Sequence, residues 1–118
     1  MNSLKQIKVA QFLKNFKEIV EKGGFDFIHR EKNLACLTEL GLTIKDCEEI
    51  VLGLSVEDYC SGPKVDRDMP GEVWEFGKET GKCKLYIKLK IFKVDTEEFA
   101  KCISFHNAEF RLKFPHKK

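Results

Sequence analysis

The sequence predicts an α+β fold, with N-terminal helices packed on one face of a small antiparallel sheet built by the C-terminal half. Three observations predict it. Between Ala10 and Glu21 the apolar residues Phe12, Leu13, Phe16, Ile19 and Val20 fall on one helical face. Between Cys83 and Val94, Leu85, Ile87, Leu89 and Ile91 alternate with Lys84, Tyr86, Lys88 and Lys90, and a strand sends the two sets to opposite faces. Apart from the short segment 25–28, the helical signals precede the strand signals, which segregates the two kinds of element instead of alternating them.

Taken in order, residues 1–9 read as a lysine-containing lead-in, and the first helix runs from Ala10 to Glu21, where Gly23-Gly24 stop it. Phe25-Asp-Phe-Ile28 is short, Phe-rich and bounded by glycine, as a short strand is, and His29-Arg30 follow it. A second helix begins at Asn33, carries Leu34 and Leu37 on one side and ends near Leu40 before Gly41. Thr43 is a good N-cap for a third helix, with Asp46 as the acidic partner of a capping box. Ile44, Cys47, Ile50, Val51 and Leu54 form its expected buried face, and Gly53 marks its end. Ser55-Val-Glu-Asp58 repeats the capping pattern and predicts one more helical turn ending near Tyr59.

Cys60 to Gly71 holds two prolines and two glycines without periodicity and reads as a loop, of the length that is functional or flexible in a compact domain. Glu72 to Gly77 reads as a strand with Trp74 and Phe76 on one face and Val73 and Glu75 on the other. Glu79 to Lys82 turns around Gly81 into the central strand 83–94. Asp95 to Glu98 makes the next turn, and Lys101 to His106 is the third strand, bringing His106 to a sheet edge. Phe110 to Phe114 could add a last extended piece before a frayed Pro115-His-Lys-Lys118.

At 118 residues the chain is expected to form one domain spanning 1–118. Its 42% hydrophobic and 34% charged residues exclude a disordered chain. The net charge of +2 is unevenly spread. Residues 1–59 hold 8 Lys/Arg against 10 Asp/Glu, and residues 60–118 hold 13 against 9, so the C-terminal half is the expected anion-facing side. The five cysteines are scattered, odd in number and lack a Cys-x-x-Cys pair, which fits buried reduced thiols better than a zinc knuckle or disulfide framework. Lysine interrupts the N-terminal apolar residues every few positions, so no signal peptide, membrane span or membrane partner is expected, and the expected location is the cytoplasm. No cofactor is expected. The chain has no internal repeat, glycine-rich phosphate loop, nucleophile elbow or Walker motif.

The alternation in strand 83–94 leaves an aliphatic face for the helices and a face of lysines around one phenol. Such a surface suits a phosphodiester backbone with a hydrogen-bond donor beside it. A solvated face carrying lysines for solubility is the ordinary alternative. Metal-free RNA cleavage needs a base for the 2′-hydroxyl proton, an acid for the leaving 5′-oxygen and cations for the pentavalent phosphorane. Histidine titrates near neutrality, so His106 is the best acid or base and Glu75 its opposite partner if both share a face. Lys64, Arg67, Lys88 and Lys90 could stabilise the phosphorane, with Lys84 on the same strand face. Tyr86 could bond a phosphate or stack on a base, and Trp74 is a candidate platform unless it is core. His29 is a weaker candidate near that surface. Asp66 and Asp68 with Glu75 and His106 could instead make a divalent-metal site, although nothing gathers them into one shell and no metal is expected.

The motifs Glu-Leu-Gly-Leu (39–42), Ile-Val-Leu-Gly-Leu-Ser-Val-Glu-Asp-Tyr (50–59), Val-Trp-Glu (73–75), Leu-Tyr-Ile-Lys-Leu (85–89) and Ile-Ser-Phe-His (103–106) occur in one order. In that order the chain resembles the MqsR family of type II toxin–antitoxin toxins, within the RelE-like ribonuclease superfamily. The resemblance implies a metal-independent endoribonuclease that cleaves messenger RNA and is neutralised by a cognate antitoxin, with the ribosome a further candidate partner. Tyr86 falls where the family has its active-site strand tyrosine. Lys64 is the nearest counterpart of a loop lysine but lies several residues later. Glu75 stands where the family has glutamine, and His106 where its best-known member has lysine. A non-catalytic RNA-binding or regulatory module using the same basic face is the alternative function. A face that only docks an acidic protein is a third reading.

Overall fold

The computed structural model describes residues 3–118. Three α-helices come first: α1 (Leu4–Glu21), α2 (Glu31–Leu40) and α3 (Ile44–Leu52), with the short strand β1 (Phe25–Phe27) between α1 and α2. A 3-10 turn over Val56–Asp58 leads into β2 (Tyr59–Val65), β3 (Glu72–Glu79), β4 (Lys84–Val94) and β5 (Glu97–Asn107). The five strands form one sheet in the order β1-β5-β4-β3-β2.

Helix α1 starts six residues earlier than its apolar stripe predicts. Ser3 and Gln6 close a capping box in which the Ser3 side chain accepts from the Gln6 N–H and Gln6 accepts from the Ser3 N–H, so the lead-in is itself helical. Thr43 and Asp46 form the predicted box on α3, and Gly41 ends α2 in the left-handed region. The α2 boundary also moves outward, to Glu31, which puts Asn33 inside the helix. Ile44 is exposed, because α3 turns only Cys47 and Val51 fully inward, with Leu54 behind them.

The predicted aliphatic face of β4 is the one the helices cover. Leu85, Ile87 and Leu89 are wholly buried, and Trp74 and Phe76 of β3 join them. Phe12 of α1 stacks on Trp74 with ring centroids 4.8 Å apart and 16° between the planes. Burial of such side chains contributes about 1.5–3 kcal/mol each, which fixes which face of the sheet points inward.

Two features of the sheet differ from the sequence expectation. The sheet is mixed, because β1 pairs parallel with β5 (Phe25 opposite Ala100, Phe27 opposite Cys102). Such a long-range pairing leaves no local signal. The stretch Cys60–Gly71 is also not one loop, since its first half continues β2 from Tyr59 to Val65, antiparallel to β3 through two irregularities. Gly62 and Pro63 are tolerated there because β2 is an edge strand, where a missing donor costs no ladder bond.

Strand β5 carries a bulge that decides what the open face presents. Lys88 pairs with Ser104 but Leu89 pairs with Cys102, leaving Ile103 as an extra residue on β5. Ala100 and Cys102 point into the core before the bulge, and Phe105 does so after it. Without the extra residue the phase would reverse, exposing Phe105 and burying His106. That exchange would forfeit about 2–3 kcal/mol of Phe105 burial and desolvate an imidazole. The bulge therefore keeps Phe105 inside and turns Ser104 and His106 outward, opposite Lys88 and Tyr86.

After Asn107 the chain makes no further strand, contrary to the extended piece expected at 110–114. It crosses the open face as a strap. Phe110 meets Tyr86 on β4, Leu112 and Phe114 lie over Gly77 on β3, and His116 stacks on Tyr59 of β2 with centroids 5.1 Å apart. Gly77 permits this crossing, since a Cβ there would stand 2.7 Å from Leu112 and 2.8 Å from Phe114.

Candidate active site on the open face of the sheet

Glu75 is the centre of the open face. It points away from Trp74 and Phe76 by strand alternation, and its side chain is only 12% exposed. Lys64 of β2 donates to its Oε1 at 2.8 Å, Ser61 donates to the same oxygen, and Tyr86 of β4 donates to Oε2. Burial alone would raise the Glu75 carboxyl, but the bonds from Lys64, Ser61 and Tyr86 outweigh it and hold the group below its ordinary value. Glu75 is thus ionised at neutral pH. Burial first, and the bond to Glu75 second, push the Tyr86 phenol above its ordinary value. Tyr86 therefore keeps its proton and serves as a hydrogen-bond donor.

His106 flanks Tyr86 on the side of β5, with ring centroids 5.5 Å apart and planes inclined by 44°. Its Nδ1 lies 2.9 Å from the Asn107 carbonyl oxygen, which favours a proton on that nitrogen. Phe110 meets the Tyr86 ring edge-on at 5.4 Å.

Two clefts meet at Glu75 and Lys64. One, of about 520 Å³, has Val73 and Ile103 in its floor and gathers the cations Arg30, Lys64, Arg67, Lys88 and Lys101 among Asp66, Asp68 and Glu75. The other, of about 420 Å³, runs between Ser61, Glu75 and Tyr86 and the strap residues 110–113. His106 lies outside both and borders a smaller hollow with Glu39 and Glu109.

Four of the predicted residues, Tyr86, Glu75, Lys64 and His106, therefore share one surface, and Lys88 and Arg67 line the larger cleft beside it. Of the other three, Lys84 is exposed at the edge of this face, whereas Trp74 and Lys90 are not available as expected. Trp74 is core, stacked on Phe12 on the helical side, and offers no platform to RNA. Lys84 stands at the hairpin end, 3.7 Å from Glu79. Lys90 is 1% exposed and paired with Asp66 at 2.7 Å. Its side chain passes beneath Gly71, where a Cβ would come within 2.9 Å of Lys90 Cε. Lys90 thus anchors the 66–71 loop that walls the larger cleft, and its bond holds the Asp66 carboxyl down to about 2. Of the residues weighed as metal ligands, Asp66 is held by Lys90 and Glu75 by three donors of its own. Among the described residues no group of three or more His, Cys, Asp or Glu is arranged to hold a metal ion.

Sequence reasoning missed Arg30, Ser61, Ser104 and Asn33. Arg30 reaches the face because β1 lies beside β5, and its Nη1 donates to Ser104 Oγ at 3.4 Å. All five cysteines are free, with Cys36, Cys47 and Cys102 buried as expected but Cys60 and Cys83 only half-buried. Burial, then Glu75 and Asp58, push the Cys60 thiol up to about 11, so it is no thiolate nucleophile at neutral pH.

The family described as "Motility quorum-sensing regulator, toxin of MqsA" matches residues 9–107. The chain belongs to the MqsR toxin family. It is accordingly the toxin of a toxin–antitoxin pair, with a cognate antitoxin as partner. No curated protein and no solved structure matches it. The MqsR span ends at Asn107, the last residue of β5, so the strap lies beyond it. Among the described residues no helix is long and apolar enough to cross a membrane.

Proposed function

We propose that this MqsR-family toxin is an endoribonuclease that cuts messenger RNA in the cytoplasm without a metal ion, inhibiting translation and growth. The observation that carries the reading is the one sheet face the helices leave uncovered, where a protonated phenol bonds an ionised carboxylate, an imidazole flanks the phenol and a cleft holding five cations opens beside the carboxylate.

In this reading the 2′-oxygen loses its proton to a base and attacks phosphorus. The bond from phosphorus to the 5′-oxygen breaks, and an acid protonates the leaving oxygen. The products are a 2′,3′-cyclic phosphate and a 5′-hydroxyl. His106 and Glu75 are the acid–base pair, His106 flanking the Tyr86 ring on one side and the ionised Glu75 bonded to the Tyr86 hydroxyl on the other. Tyr86 acts as a hydrogen-bond donor fixing Glu75 or the phosphate, and Lys64, Lys88 and Arg30 offset the charge of the phosphorane. The larger cleft, with its five cations, is the path for the phosphodiester backbone.

The direct test is His106→Ala. His106 is half-exposed and its ring bonds only the neighbouring carbonyl, so the variant should keep its circular-dichroism spectrum and lose cleavage by about 10²–10⁴-fold. A folded variant that cuts RNA at the wild-type rate would remove His106 from the mechanism.

A further inference from the structure

We infer that the C-terminal strap, residues 108–118, is a second RNA-binding element in which Phe110 holds a nucleobase of single-stranded RNA beside the cleavage site. The inference rests on the ribonuclease reading above and goes beyond it, because the strap lies outside the span shared with the family.

The strap is a built feature. Leu112 is buried over Gly77, and His116 stacks on Tyr59 with only 15° between the rings, so both ends of the crossing are fixed on the sheet. Between the start of the strap and Leu112, Phe110 is left 60% exposed although its edge already touches Tyr86. An apolar ring anchored on one side and open on the other is an incomplete stack. Arg111 and Lys113 line the same cleft as Glu75 and Tyr86, so cations flank the open ring. An aromatic face beside cations along a groove is the arrangement that holds single-stranded nucleic acid: the ring takes a base of any identity, and the cations take phosphates.

The occupant could instead be a protein, and the test separates the two. The full chain is titrated into a short fluorescent 2′-O-methyl RNA, which binds but lacks the free 2′-hydroxyl that cleavage requires. A base-free sugar–phosphate oligomer of the same length is the companion probe. Phe110→Ala should weaken binding of the base-bearing oligomer by about 5- to 150-fold, leave the base-free oligomer unchanged and recover in Phe110→Trp. Arg111→Ala with Lys113→Ala should weaken both probes and flatten the salt dependence. If wild type binds RNA and Phe110→Ala binds it equally well, the subsite is refuted while the ribonuclease reading stands, and the ring is left to a protein partner. If wild type binds neither probe and cuts no RNA, the reading and the subsite fall together.

Discussion

Asn33 offers the strongest prediction about how the site is held. It is wholly buried on α2, and its amide makes three hydrogen bonds to backbone. Nδ2 donates to the carbonyls of Ile28 and Ile103, both at 2.9 Å, and Oδ1 accepts from the Phe105 N–H at 2.9 Å. Ile103 is the bulge residue that turns His106 outward, Phe105 follows it two positions on, and Ile28 follows β1 two residues before Arg30. One side chain therefore ties the bulge to the end of β1. Truncation to alanine removes three bonds of about 1 kcal/mol net each and leaves a buried N–H without an acceptor, a further cost of about 1–3 kcal/mol. The expected loss is about 4–6 kcal/mol, or roughly 15–25 °C in Tm for a domain of this size.

Urea unfolding followed by tryptophan fluorescence would measure it, since Trp74 is the single tryptophan and is core. Asn33→Asp gives a second reading of the same contact. The carboxylate keeps the acceptor for Phe105 but faces two carbonyl oxygens, so burial and repulsion raise its pKa above the unfolded value of about 3.9. A raised carboxyl favours the folded state at low pH, so the variant should regain stability as pH falls and lose it as pH rises through the folded value. A loss below about 1 kcal/mol in Asn33→Ala, with no pH dependence in Asn33→Asp, would refute the claim that Asn33 holds the bulge.

Two further outcomes concern the cluster around Glu75. Its carboxyl is lower when folded, so it contributes stability above its ordinary value of 4.5 that is lost as pH falls through the folded value. Glu75→Gln should remove that contribution, and acid unfolding of the two proteins should converge below pH 4.5; parallel curves would show that Glu75 gains nothing from its three donors. Tyr86 has the opposite sign. Its phenol is raised above 10.0, so wild type should lose stability above that pH faster than Tyr86→Phe, as alkaline denaturation followed by circular dichroism would show.

The caps at Thr43 and Ser55 and the in–out pattern of β4 were legible in the sequence because both are local. Thr43 and Ser55 act on residues three positions away, and Leu85, Ile87 and Leu89 need only a period of two. Glu75 and Tyr86 could be named for the same reason, as their faces follow from strand phase once the strands are placed. His106 reached the right face for a reason the sequence hides, since the bulge at Ile103 reverses the phase just before it. Lys90 misled for the converse reason: it has the correct phase, but a distant loop folds over it and Asp66 closes on its ammonium. Arg30, Ser61 and the strap depend on the partners of edge strands and on a chain crossing, which are long-range and leave no periodic trace.

The most direct test of the central claim is to incubate the purified protein with a long RNA in excess chelator and to map both the cut sites and the chemistry of the new ends. The account predicts discrete cuts that persist without free divalent ions and leave 2′,3′-cyclic phosphates opposite 5′-hydroxyls, either on free RNA or on translating ribosomes. Cleavage abolished by the chelator, or RNA left intact in both settings, would contradict it.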